Sequence, residues 1–296
     1  MKPKHWFAFI LLGSVWSASF LWIKIAVAEI GPFTLVGFRV LFGALTVLLV
    51  TLFTRTPWPR DRATWVTYLI LGLTSVAIPF VLISWGEKSI DSAVASILNA
   101  SVPLFTIILA HFGLRDDRMT VQKVVGLLAG FAGVVVLLSK GILTGTHSSI
   151  LGETAVIVAS LFYAGSTVFA RLRTAHVPGL VRGGAPLVTA SLAMWLIIPV
   201  AERPFKMPAL PITWLALVWL GVLGSGLALV LWYYLLHEIG PTRTTLVSYL
   251  FPLGGVILGV LFLHEHLTWQ LFVGALFIVA SLIVVNWPVK ERTNGD

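Results

Sequence analysis

Almost the whole chain consists of apolar runs long enough to cross a membrane. They are separated by short turns, often marked by proline, as at Gly31-Pro32 and Gly240-Pro241. A helix of about 20 apolar residues reaches across a bilayer, and lipid accepts only backbone whose hydrogen bonds are satisfied internally. The runs cover residues 6–28, 32–53, 64–85, 89–112, 121–139, 151–171, 181–201, 213–236, 242–263 and 269–287. With 58% hydrophobic and 11% charged residues in 296, no room remains for a soluble domain. The expected fold class is an all-α integral membrane protein with ten transmembrane helices. Cysteine is absent, which excludes a disulfide framework and a thiolate metal site.

Lys2 and Lys4, an apolar run and the small residues Ser17-Ala18-Ser19 imitate a cleavable signal peptide. The run continues to Ala28, however, which is the length of a full span. The basic residues then set the orientation. Lys2, Lys4, Arg55, Arg60, Arg62, Arg115, Arg118, Lys123, Arg171, Arg173, Arg182, Arg243, Lys290 and Arg292 fall on one side, against Lys88, Lys140, Arg203 and Lys206 on the other. Basic loops stay cytoplasmic, so both termini are expected there, and the net charge of +8 reflects topology rather than a nucleic-acid partner.

The chain repeats itself. The stretch from Trp65 to Asp117 lies over that from Trp214 to His266, pairing Gly72 with Gly221, Pro103 with Pro252 and Asp116 with Glu265, and WSASFLWIK ending at Lys24 lies over YAGSTVFAR ending at Arg171. Five spans per half is an odd number, so the second half enters the membrane upside down. The expected organisation is a first five-helix repeat over residues 1–141, a second over 150–288 and a cytoplasmic tail over 289–296. Inverted repeats of this kind place substrate near the bilayer midplane, beside helices interrupted at corresponding positions.

Pro103 and Pro252 are such positions. Ser92, Ser96, Asn99, Pro103 and Thr106 form one stripe at helical spacing, and Pro241, Thr245, Ser248, Pro252 and Gly255 form the equivalent one. The stripes are expected to face each other across a central cavity, whereas the Gly126–Gly130 and Gly255–Gly259 spacings suit close helix packing. Trp16 with Ser19, Tyr163 with Ser166, and Tyr249 are the candidates for the remaining walls; such residues also occur as interfacial anchors and core fillers. The candidate substrate-binding set is therefore Trp16, Ser19, Asn99, Pro103, Tyr163, Ser166, Ser248, Tyr249 and Pro252. Lys24 and Arg39 are the charges clearly inside spans, both toward external ends. Snorkelling by Lys24 and carbonyl capping by Arg39 is the plainer reading, and a basic external vestibule or gate is the functional one.

WSASFLWIK, FRVLFGAL around Arg39, a small-residue helix with a central proline before LRDDRMT and again before FLHEHLT, and glycine-rich fifth and tenth helices occur here in order. In this the chain resembles the ten-helix branch of the drug/metabolite transporter superfamily, with RDD where a Gly-Glu turn is common. The resemblance implies a secondary transporter of the inner membrane, often an exporter of amino acids, related metabolites or drugs. Export of small amphiphilic metabolites such as amino acids by alternating access is the first reading, multidrug or organic-cation efflux the second. An intramembrane enzyme would need a Ser/His pair or paired acids within spans, whereas a non-transporting scaffold would need neither a cavity nor helices interrupted at the midplane.

Glu29, Glu87, Glu153 and Glu265 lie at span ends or in external loops, so facilitated or weakly coupled transport is expected. No cofactor or metal is expected, because in the HEH triplet at His264–His266 adjacent side chains diverge. His111 to Asp116 matches an acyltransferase spacing, but its repeat equivalent lacks the histidine. The expected partners are a small-molecule substrate and membrane lipid, with a homodimer left open.

Overall fold

A computed structural model of the chain describes residues 2–113, 119–144, 147–174, 177–239, 247 and 250–286. All regular structure among them is helical. We number the helices α1 (Pro3–Val27), α2 (Pro32–Phe53), α3 (Arg62–Gly86), α4 (Ser92–Gly113), α5 (Val121–Thr144), α6 (His147–Thr174), α7 (Gly179–Ala201), α8 (Pro211–Val218, continuing through Trp219–Leu227 to Ala228–Ile239), α9 (Leu250–Leu263) and α10 (Trp269–Asn286). Seven of these, α1–α4 and α6–α8, are long and apolar enough to cross a membrane. Shorter apolar stretches occupy Val121–Leu137, Leu250–Leu263 and Trp269–Ser281. Large apolar side chains such as Phe53, Leu192, Leu196 and Phe272 stand on the outside, as a lipid-facing surface requires.

Helix starts follow the sequence. Pro3, Pro32 and Pro211 sit in the first turn, where a missing N–H costs nothing, and Asp61 Oδ1 accepts from the Thr64 N–H at 2.7 Å to cap α3. Two kinds of irregularity interrupt the helices. In α4 the helical pieces are Ser92–Asn99 and Val102–Gly113. Pro103 offers no N–H to the carbonyl of Asn99, and the chain tightens into three-residue hydrogen bonds from Ser101 N to Leu98 O (3.0 Å) and from Leu104 N to Ser101 O (2.9 Å). In α3 and α8 the winding loosens instead. Leu73–Ala77 and Trp219–Leu227 are π-helical, closed by five-residue bonds from Ile78 N to Leu73 O and from Ala228 N to Leu223 O. Under the pairing of Gly72 with Gly221 the first segment falls within the second.

Packing exchanges partners between the two parts of the chain. α1 packs on α8 and α9, while α6 packs on α3 and α4. α2 lies along α7 and α8, α4 along α9, and α5 along α10. Glycines set the closest approaches. A Cβ on Gly221 would lie 2.4 Å from the Phe42 Cβ and 2.9 Å from the Arg39 carbonyl, and one on Gly133 would lie 2.8 Å from the Gly274 carbonyl. Successive helices run in opposite directions, so the C-terminal ends of α1, α3, α7 and α9 share one face with the N-terminal ends of α2, α4 and α8. We call this the far face; the start of α1 lies on the near face.

Candidate functional site

The far face is closed by carboxylates that cap helices distant in sequence. The Glu29 carboxylate, just after α1, accepts from the N–H groups of Ala209 (2.6 Å) and Leu210 (3.1 Å) at the start of α8. Glu202, just after α7, accepts from Phe33 N and Thr34 N, both at 2.9 Å, at the start of α2. Glu265, just after α9, accepts from Ser92 N (2.6 Å) and Ala93 N (3.0 Å) at the start of α4. In each case a negative charge meets unsatisfied N–H groups at the positive end of a helix. Gly31 makes room for one of these caps, since a Cβ there would lie 2.1 Å from the Glu202 Cδ.

Inward of these caps sits a layer of charge. Lys24 Nζ donates to the backbone carbonyls of Glu87 and Ile90, each at 2.6 Å. Arg39 is buried; its Nε donates to Ser225 Oγ at 3.2 Å and its guanidinium lies 3.7 Å from the centre of the Phe80 ring. The carbonyl capping assigned to Arg39 from sequence therefore falls to Lys24, because the turn after α3 brings two carbonyls to it. Arg39 is covered rather than open to an aqueous vestibule. Ser225 is held in turn by its bond to the Leu220 carbonyl at 3.0 Å, inside the π-helical part of α8.

The aromatic candidates meet the same irregular segments. Trp16 Nε1 donates to the Gly224 carbonyl of α8 at 3.1 Å, and its ring lies 5.5 Å from that of Trp232 and 5.8 Å from that of Phe251. The Ser19 hydroxyl bonds its own helix at the Val15 carbonyl (3.2 Å) and faces Gly224. Ser166, the counterpart of Ser19, donates to Thr74 Oγ1 at 2.9 Å in the π-helical part of α3. Tyr163, half-buried on α6, faces the Arg39 charge.

The two polar stripes do not stand apart over their whole length. On the far-face half α4 and α9 are in contact: a Cβ on Gly255 would lie 2.1 Å from Ser96 Oγ, and one on Gly259 would lie 3.1 Å from Ser92 Oγ. The two glycines let the helices close there, so no cavity separates the stripes at that level. α9 packs on the first piece of α4, Ser92–Asn99. Asn99 ends that piece with its Oδ1 buried and without a hydrogen-bond partner among the described residues. Pro103 is half-buried and Pro252 buried. Ser248 and Tyr249 lie outside the described residues, as do Pro241, Thr245 and Asp116. His111 Nδ1 accepts from Met119 N at 3.0 Å.

On the near face Glu238, toward the end of α8, is bound by His5 Nε2 at 2.9 Å and Lys4 Nζ at 3.4 Å. The His5 hydrogen bond, then the Lys4 charge, holds this carboxyl below the usual range. Among the described residues no group of three or more His, Asp or Glu converges in a way that could hold a metal ion.

An apolar-sided bundle with seven helices long and apolar enough to cross a bilayer is a multi-span membrane protein. The chain belongs to the EamA-like transporter family, whose sequence profile matches twice, over residues 4–139 and 150–287. It is similar over its length to the uncharacterized transporter YoaV of Bacillus subtilis (25% identical over 285 residues, 94% of this chain and 95% of that one). It is also similar to the uncharacterized inner membrane transporter YedA of Escherichia coli K12 (26% over 256 residues, 85% and 80%). A solved crystal structure shares the fold with a TM-score of 0.67 at 22% identity, covering 96% of this chain and 98% of that one.

Proposed function

We propose that this transporter is an inner-membrane exporter of small amphiphilic metabolites such as amino acids, working by alternating access between two inverted five-helix repeats with both termini cytoplasmic. The observation that carries this reading is the α4–α9 pair. It is closed at the far face through Gly255 and Gly259, and below that α4 is broken next to a buried Asn99 carbonyl oxygen that has no hydrogen-bond partner among the described residues. A break with an unmet polar atom inside lipid is costly unless something binds there. The duplicated family match, the overlapping π-helical segments and the exchanged packing all support the two-repeat organisation. The far face is then external. Aromatic rings around Trp16 favour a second cargo class, organic cations, which ring faces attract.

Purified protein in vesicles preloaded with amino acids and cationic drugs tests both. Selective efflux of one class, lost in Asn99→Ala, is the expected outcome, and the class that moves decides between the two readings. Equal leakage from wild type and variant would return the break in α4 to a packing role.

A further inference from the structure

Under the far-face caps lies a carboxylate that the transport reading leaves unused. Glu87, the first residue after α3, has no exposed surface, and neither of its carboxylate oxygens has a hydrogen-bond partner among the described residues. The charged groups around it are committed elsewhere. From α1, Lys24 donates to the Glu87 and Ile90 carbonyls rather than to the carboxylate. From α2, Arg39 is taken by Ser225 and the Phe80 ring. From α6, Tyr163 faces Arg39, and the buried Glu153 follows Gly152, whose carbonyl abuts Gly86. From the α9–α10 turn, Glu265 adds a second negative charge while bonded to Ser92 and Ala93. Within its own turn, Lys88 is exposed and Asp91 half-buried.

An ionised carboxylate without surface or donors takes up a proton instead. Burial pushes the Glu87 carboxyl well above the ordinary carboxylate range, with Glu265 adding to the rise and Lys24 and Arg39 opposing it.

We infer that Glu87 is a proton-binding site linked to the far face: the transporter closes that face over the neutral acid, and opening it hydrates the carboxylate and releases the proton to the far-side medium. One proton is bound per closure and one released per opening, with no other bond changed. This rests on the alternating-access reading. It replaces the facilitated or weakly coupled transport expected from sequence with a proton-linked step, because a residue expected at a span end or in an external loop is buried inside the bundle.

The chain has no cysteine, so Ser92→Cys, beneath the Glu265 cap, supplies a lone thiol. Its maleimide labelling rate in lipid nanodiscs is compared with that of Ser92→Cys/Glu87→Gln across pH, so that the reactivity of the thiol itself cancels in the ratio. Where the closed state dominates, the ratio is expected to rise up to about tenfold per pH unit as ionisation opens the far face. A ratio flat with pH overturns the proposal. Infrared spectra of the unlabelled wild type give an independent measure: a protonated-carboxyl band that titrates and disappears in Glu87→Gln is expected. If the variant does not fold, absence of any titrating carboxyl band in the wild type overturns the proposal by itself. A thiol that is never labelled at any pH, with the band present, defeats alternating access and the linkage to it while leaving Glu87 a proton site.

Discussion

One carboxylate can tie together helices that are nearly two hundred residues apart. Glu29 does so at the start of α8, with the Thr213 hydroxyl beside it and the N–H groups of Ala209 and Leu210 holding its carboxyl below the ordinary value of 4.5. A folded-state pKa that is lowered means the stabilising contribution is complete above about pH 4.5 and disappears as acidification carries the pH through the folded value. Thermal unfolding of wild type and Glu29→Gln in detergent should therefore differ at neutral pH, with wild type the more stable, and converge in acid. A difference that grows on acidification would contradict the cap. Nothing in the sequence points from Glu29 to residue 209. The residue type and its place at a span end were legible, but the cap is a contact between segments 180 residues apart, and one sequence carries no record of which loop faces which.

At the scale of helices, the pattern of small residues was a dependable guide and the pattern of irregularity was not. The reading of Gly255 and Gly259 as packing residues agrees with the contact between α4 and α9. A leucine at 255 would begin 2.1 Å from Ser96 Oγ, and overpacking of this kind costs about 1–3 kcal/mol. Gly255→Leu should lower the unfolding midpoint, while Leu253→Ala, at a position 59% exposed on the same helix, should leave it nearly unchanged. Equal effects would mean that the interface is not close. The break in α4 was legible because proline states its own physics: no N–H for Asn99. The π-helical segments were not, since an extra residue in a turn is paid for by tertiary contacts. Only the small residues hint at it: Gly221, Ser225 and Gly226 let α2 come close, and Gly224 faces Ser19 of α1.

For the whole molecule, seven of the expected spans were legible, because lipid imposes a length on every helix, while the runs at 121–139, 242–263 and 269–287 meet shorter apolar helices among the described residues. How the halves interlock was not legible. α1 and α2 pack on helices of the second half, and α6 and α7 on helices of the first, and the far face is closed by contacts between halves that include Glu29 to α8, Glu202 to α2 and Glu265 to α4. Alternating access requires these contacts to part in every cycle. The most direct measurement locks one of them. Gly31 and Glu202 touch, with the glycine's Cβ position 2.1 Å from the Glu202 Cδ, so Gly31→Cys with Glu202→Cys places two thiols in reach of a disulfide in a chain that has no other cysteine. Efflux of the preloaded amino-acid and cationic-drug mixture from vesicles should stop on oxidation and return on reduction. Efflux that continues unchanged with the disulfide formed would contradict the account, because solute would then be crossing without the far face opening.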